Sequence, residues 1–258
     1  MIRKTWNADK WLLTAQPEHA RLSAILASGW KFPGAKPHEE VVKAIMSHDD
    51  GWKEHDAAPQ IKPNGDPRDF MEMKLADSTD IFMKSIEARI DSGQLYGAAL
   101  VCGHFLALAM NADLARASTA DAIAAGRFIA RQRQQLTALK ALAAENETTA
   151  AALENFDTDL RFLQVCDYIS LKLCGDFTGE ETITNVPYLE KGDSLKISRT
   201  SNSLALSLSP LPFKKNLRDH LTSWIVPNMP YESTEELQAA MAEVKTTVNE
   251  VHLGAGNG

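Results

Sequence analysis

Cysteine is scarce in this chain: three occur in 258 residues, Cys102, Cys166 and Cys174, with no Cys-x-x-Cys pair. An odd number in apolar surroundings argues against a disulfide framework and implies reduced, buried thiols in a cytoplasmic protein. Long hydrophobic runs are missing as well. The nearest, Ala98 to Met110, is shorter than the roughly 18 residues of a membrane span and carries His104 inside it. No apolar segment of a secretory signal is visible at the start. Neither sign of charge dominates. The 27 basic and 34 acidic residues leave −7 without a long run of either, so nucleic acid and anionic membranes are not expected partners. Glycine forms no GxGxxG or P-loop pattern, and no Gly-x-Ser-x-Gly elbow occurs. Dinucleotide, P-loop and serine-hydrolase chemistries therefore have no support.

What is present is a chain that is 44% hydrophobic, enough for one sizeable core. Helical spacing predicts helices over about 17–28, 38–47, 78–92, 94–111, 119–144 and 148–173. Pro17 fits a first helical position, where its missing N–H costs nothing. Ser118 and Asp121 have the spacing of a capping box. Trp11-Leu-Leu-Thr reads as a short strand, and 51–69, rich in Pro, Gly and charge, as a long loop able to lie over a site. After Cys174 the texture changes. Ser194 to Arg199 and Ser203 to Ser209 alternate like strands of a small antiparallel ribbon, Glu235 to Asn249 reads as a last helix, and the tail from Gly254 as frayed. The expected fold is mainly α: a helical core over 1–174, with a β-ribbon and terminal helix over 175–258 packed on it.

Five ionisable residues at four places stand out. His19 shares a helical face with Leu22 and Leu26, His104 lies in the most apolar stretch, and Asp167 falls in the stripe Leu160, Leu163, Leu171, Cys174. His48-Asp49 sits where a helix ends, with Gly51 as a plausible stop. Taken alone, each has an ordinary explanation: a core histidine with one hydrogen bond, or a carboxylate reaching solvent or an arginine. Together they suggest one metal, because burying unpaired imidazoles and carboxylates costs several kcal/mol each and both are ordinary transition-metal ligands.

The order His19, then His48-Asp49, then Asp167, each on a separate helix, resembles the HD-domain superfamily of metal-dependent phosphohydrolases. That resemblance implies an HD-domain-like helical bundle in which His19, His48, Asp49 and Asp167 bind a divalent ion (Fe, Mn, Zn or Ni), with one ion favoured over two. His104 is an additional candidate ligand, since binuclear relatives use extra histidines in this interval. A wider similarity, carried by Trp11-Leu-Leu, Gln16-Pro-Glu-His-Ala-Arg-Leu, His48-Asp-Asp-Gly-Trp and Leu163-Gln-Val-Cys-Asp-Tyr-Ile-Ser-Leu, is to the bacterial DUF3891 family, whose activity is not established.

The function this implies is metal-assisted hydrolysis of a small, phosphorylated substrate. Asp50 is the candidate for positioning or deprotonating the attacking water, and Lys53 for meeting a phosphate. A di-iron oxygenase and a non-catalytic helical binding module are the alternatives. Gln16 is a further candidate for a hydrogen bond to substrate.

Overall fold

The computed structural model describes residues 1–113, 117–201 and 203–255. The chain starts with two strands, β1 (Ile2–Asn7) and β2 (Lys10–Thr14). Helices follow: α1 (Gln16–Gly29), α2 (Glu39–Ser47), the short α3 (Lys53–Ala57), α4 (Leu75–Asp91), α5 (Leu95–Met110), α6 (Thr119–Ala143), α7 (Glu147–Ala152) and α8 (Phe156–Cys174). Then come β3 (Gly179–Ile183), β4 (Leu195–Arg199), β5 (Ala205–Ser209), β6 (Leu217–Pro227), α9 (Thr234–Val244) and β7 (Thr247–Ala255).

The seven strands form one sheet in the order β1-β2-β6-β7-β5-β4-β3, antiparallel except where β5 runs parallel to β7. This corrects the mainly α expectation: the fold is mixed α/β, and its sheet is no small ribbon. The expected β4–β5 pairing is there. The sheet extends beyond it because β1 and β2, from the far end of the chain, join through β6, where Trp11 faces Val226 and Leu13 faces Trp224. The sheet thus crosses residue 174, and one core runs from Ile2 through the helices to Leu253.

Local features explain the missed β1 and β7, and a buried arginine ties the sheet to α8. In β1 the inward position belongs to Lys4, fully buried with Nζ donating to the Gly175 carbonyl, so the apolar alternation is broken. Arg199, 3% exposed, donates to the carbonyls of Lys172, Leu173 and Gly175. Two cations thus close the C-terminus of α8, where the helix dipole favours positive charge. The last helix stops at Val244, short of Asn249, because Thr247, Asn249 and Val251 turn into β7 and pair with β6. Gly254 and Ala255 belong to that strand, whereas 256–258 lie outside the described residues.

The helices fall close to their expected positions. Ser118 accepts from the Asp121 N–H at 3.1 Å as an N-cap. The expected helix over 148–173 is divided into α7 and α8 by a 3-10 turn at Leu153–Asn155. Segment 51–69 is more ordered than a plain loop: it holds a 3-10 turn, α3 and an Ile61–Pro67 bridge. Helix α5 is buried on nearly every side, as the central helix of the body must be. It packs against α2, α4, α6 and α8, while α1 packs against α2, α8 and β6. Among the described residues no helix is long and apolar enough to cross a membrane.

Candidate metal centre

Helices α1, α2, α5 and α8 bring His19, His48, Asp49, His104 and Asp167 together. All five are buried, with exposures of 0%, 0%, 6%, 3% and 8%. His19 projects from α1, His48 is the C-cap of α2 and Asp49 opens the 3-10 turn Asp50–Trp52. That turn lies hard against α4. A Cβ on Gly51 would stand 2.0 Å from the Ile81 carbonyl oxygen, so only glycine fits, and its N–H donates to Ser85 Oγ. The close approach explains a glycine directly after His48-Asp49-Asp50 better than a helix stop does.

The imidazoles are held from behind. His48 Nδ1 donates to the Ile45 carbonyl at 2.7 Å, which fixes the tautomer and leaves Nε2 facing the cluster. His19 Nδ1 is 2.8 Å from Ser170 Oγ, and Ser170 in turn donates to the Asp167 carbonyl and meets Ser23 Oγ at 2.6 Å. The free nitrogens then converge on the two carboxylates. His19 Nε2 is 2.7 Å from Asp49 Oδ2, and His48 Nε2 is 3.4 Å from the same oxygen. Asp167 Oδ1 is 3.3 Å from His48 Nε2 and 3.7 Å from His19 Nε2, while His104 Nε2 is 3.8 Å from Asp167 Oδ2.

Burial alone disfavours a charged His48, but Asp49 and Asp167 outweigh it and raise its pKa to about 9. Burial likewise opposes ionisation of Asp167, yet the His48 hydrogen bond and the surrounding imidazoles hold it down at about 2. His104 is left to burial, which lowers it to about 4, so it is a neutral donor at neutral pH. Its Nδ1 is buried with no hydrogen-bond partner.

Two overlapping groups have ligand atoms within 4.8 Å of one another: His19, His48 and Asp49, and His48, His104 and Asp167. They share His48, whose Nδ1 is already spent on Ile45. A single nitrogen lone pair serves one ion, so His48 can serve only one of the two groups of three at a time. Imidazole and carboxylate without thiolate suit Fe, Mn, Zn or Ni, and the loosely paired Asp167, with His104 Nε2 3.8 Å from it, fits such an ion.

The cluster forms one end of a cavity of about 690 Å³. Trp52, Phe70, Met73, Phe82, Phe105 and Leu108 supply much of its wall. Gln16, 1% exposed, also lines it, and its Oε1 has no partner, an omission that costs about 1–3 kcal/mol in a dry site.

The other two candidates are elsewhere. Asp50 pairs with Lys53 at 3.0 Å and Arg89 at 3.5 Å and does not line this cavity. Lys53 is 63% exposed and borders a separate hollow with Glu18, Arg21 and Trp224. Sequence reasoning overlooked Ser23 and Ser170, although their spacing was a usable signal: Ser23 follows His19 by one turn, and Ser170 follows Asp167 by three residues. The apolar wall gave no such signal, because Phe70 and Met73 come from a turn outside any amphipathic pattern.

No curated protein and no solved structure matches the chain. The family described as a protein of unknown function, DUF3891, matches residues 1–226, which take in all five clustered residues and the cavity. The chain belongs to the DUF3891 family.

Proposed function

We propose that this protein is a metal-dependent hydrolase of the HD-domain type acting on a phosphate ester. The observation that carries the reading is the convergence of five buried imidazole and carboxylate groups, with the outward nitrogens of His19 and His48 tied to Ser170 and Ile45, at the inner end of a cavity. The order of His19, His48-Asp49 and Asp167 along the chain adds support through its resemblance to HD-domain enzymes. His19, His48, Asp49, Asp167 and His104 would hold the ion. A divalent ion there supplies Lewis acidity toward a phosphoryl oxygen and makes water a better nucleophile near neutral pH.

The protein groups do the rest. Ser170 and the Ile45 carbonyl keep two imidazoles in the ligating tautomer. His48 must give up its proton before it can ligate, so loading should release protons and strengthen as pH rises. A carboxylate oxygen of Asp49 or Asp167 would accept a proton of the attacking water. Trp52, Phe82 and Phe105 keep bulk water from the cluster. The proposal favours one ion over the two of a di-iron oxygenase, because His48 has a single nitrogen to offer.

Elemental analysis of protein purified without chelator is the test, beside a His48→Ala/Asp49→Ala variant. About one equivalent, lost in the variant, supports the reading. No ion after reconstitution with Mn²⁺, Fe²⁺ or Zn²⁺ sinks it and leaves a non-catalytic binding module.

A further inference from the structure

The cavity walls say more about the substrate than the cluster does. Trp52 (2% exposed), Phe82 (8%) and Phe105 (1%) form a buried aromatic wall, with Phe82 and Phe105 stacked at 4.1 Å. The apolar surface continues outward to the mouth, where Met71 is 80% exposed and Leu108 47% exposed. Apolar side chains left in water at the rim of a pocket are a common mark of ligand entry. Among the described residues that line the cavity, Lys74 is the one lysine or arginine, and its Nζ is bound to Asp121 at 3.0 Å. Asp113, Asp121 and the two ligand carboxylates give the lining an acidic balance. The described lining offers a polyphosphate one lysine, already paired, besides an ion at the cluster. The buried Gln16 Oε1, which has no partner, is an acceptor left to meet a ligand O–H.

We infer that the cavity takes an ester with a single phosphate and an uncharged, apolar alcohol part. This rests on the hydrolase reading above. The phosphate lies toward the cluster, Gln16 Oε1 accepts from a protonated phosphate oxygen, and the alcohol part lies along Trp52, Phe82, Phe105 and Leu108. A volume of about 690 Å³ is within the range of small-molecule sites and accommodates an alkyl chain or a pair of rings. In the reaction the water oxygen forms a new bond to phosphorus and the ester P–O bond breaks. The alcohol leaves with one proton, and the phosphate keeps the added hydroxyl.

The test uses the full chain reconstituted with Mn²⁺ and the uncharged fluorophore N-phenyl-1-naphthylamine. The dye should bind, and octyl phosphate below its micellar concentration should displace it at a concentration at least 50-fold lower than glycerol phosphate or ADP. Met71→Glu/Leu108→Glu, which alters exposed side chains, should weaken dye binding at least tenfold with an unchanged far-ultraviolet circular dichroism spectrum. The inference is overturned if the dye fails to bind, if the variant binds it as well, or if ADP or glycerol phosphate competes as effectively as octyl phosphate. Metal content of the same samples separates the two proposals. An ion present while ADP competes best refutes the apolar substrate and leaves the hydrolase standing. Selective displacement by octyl phosphate in protein that holds no ion supports the cavity's preference and refutes the hydrolase.

Discussion

Two buried aspartates on α8, eight residues apart, have opposite surroundings. Asp159 is 1% exposed and its two oxygens accept from Tyr96 and Tyr188, each hydroxyl 2.6 Å away. Burial raises its pKa despite those bonds, and burial together with the carboxylate pushes both tyrosines well above the ordinary phenol range. Asp167 has three imidazoles around it at 3.3–3.8 Å, none at short hydrogen-bond distance, and it opens on a cavity. The first site is closed: its donors and acceptors are matched, and it pins α5 and the 184–194 loop to α8. The second is left under-paired by its own protein, which is the usual condition of a ligand set. Burial of a carboxylate is therefore uninformative alone; what matters is whether its partners finish the job.

The comparison can be broken most severely at Asp167. Asp167→Asn should cut Mn²⁺ affinity at least a thousandfold, about 4 kcal/mol, with chelator-treated protein losing less stability than that, because the imidazoles that hold the carboxyl down also stabilise the fold through it. Isothermal titration and urea unfolding together check this, and a large loss of stability with metal affinity intact would reverse the roles of the two sites. Asp159→Ala should do the opposite. Removing the acceptor of two buried hydroxyls should cost about 2–3 kcal/mol of stability while leaving about one equivalent of metal bound, read by unfolding and elemental analysis on one preparation.

A smaller effect concerns the other end of α8. Burial, followed by the nearby Arg199, lowers the Lys4 pKa to about 8, with Asp176 at 3.9 Å only partly offsetting them. A lysine whose folded-state pKa is depressed binds fewer protons folded than unfolded. Its penalty is therefore fully present below pH 8 and is relieved as pH rises from about 8 toward 10.5. Relative to Lys4→Met, the protein should gain stability across that window by at most about 1.4 kcal/mol per pH unit. Parallel unfolding curves at pH 7.5, 9 and 10 measure the difference, and identical slopes would show that Lys4 stays charged in the fold.

Much of this was readable from the residues. Apolar positions at helical spacing placed α1, α2, α4, α5 and α6 close to their observed spans, because an amphipathic helix writes its buried face into neighbouring sequence. Strands of a mixed sheet do not. β6 carries Arg218, Asp219 and His220 between Leu217 and Leu221, and β1 buries a lysine, so their alternation is masked by polar residues whose partners lie far along the chain. Asp50 and Lys53 were named by proximity to His48-Asp49, yet the turn that aims Asp49 inward sends both of them to the other side.

The sequence by itself determined which residue types could form a metal centre, and which helix would carry each, since ligand chemistry and helical period are both local properties. Only the tertiary structure decided that five of those residues cluster in one buried place, that His48 has one nitrogen to give, and that the space beside it is apolar. Those facts depend on contacts between segments tens to more than a hundred residues apart, such as His48 with Asp167 and Gly51 with Ser85. Local pattern carries no record of such contacts, because the energy that selects them comes from packing surfaces that exist only once the chain has folded.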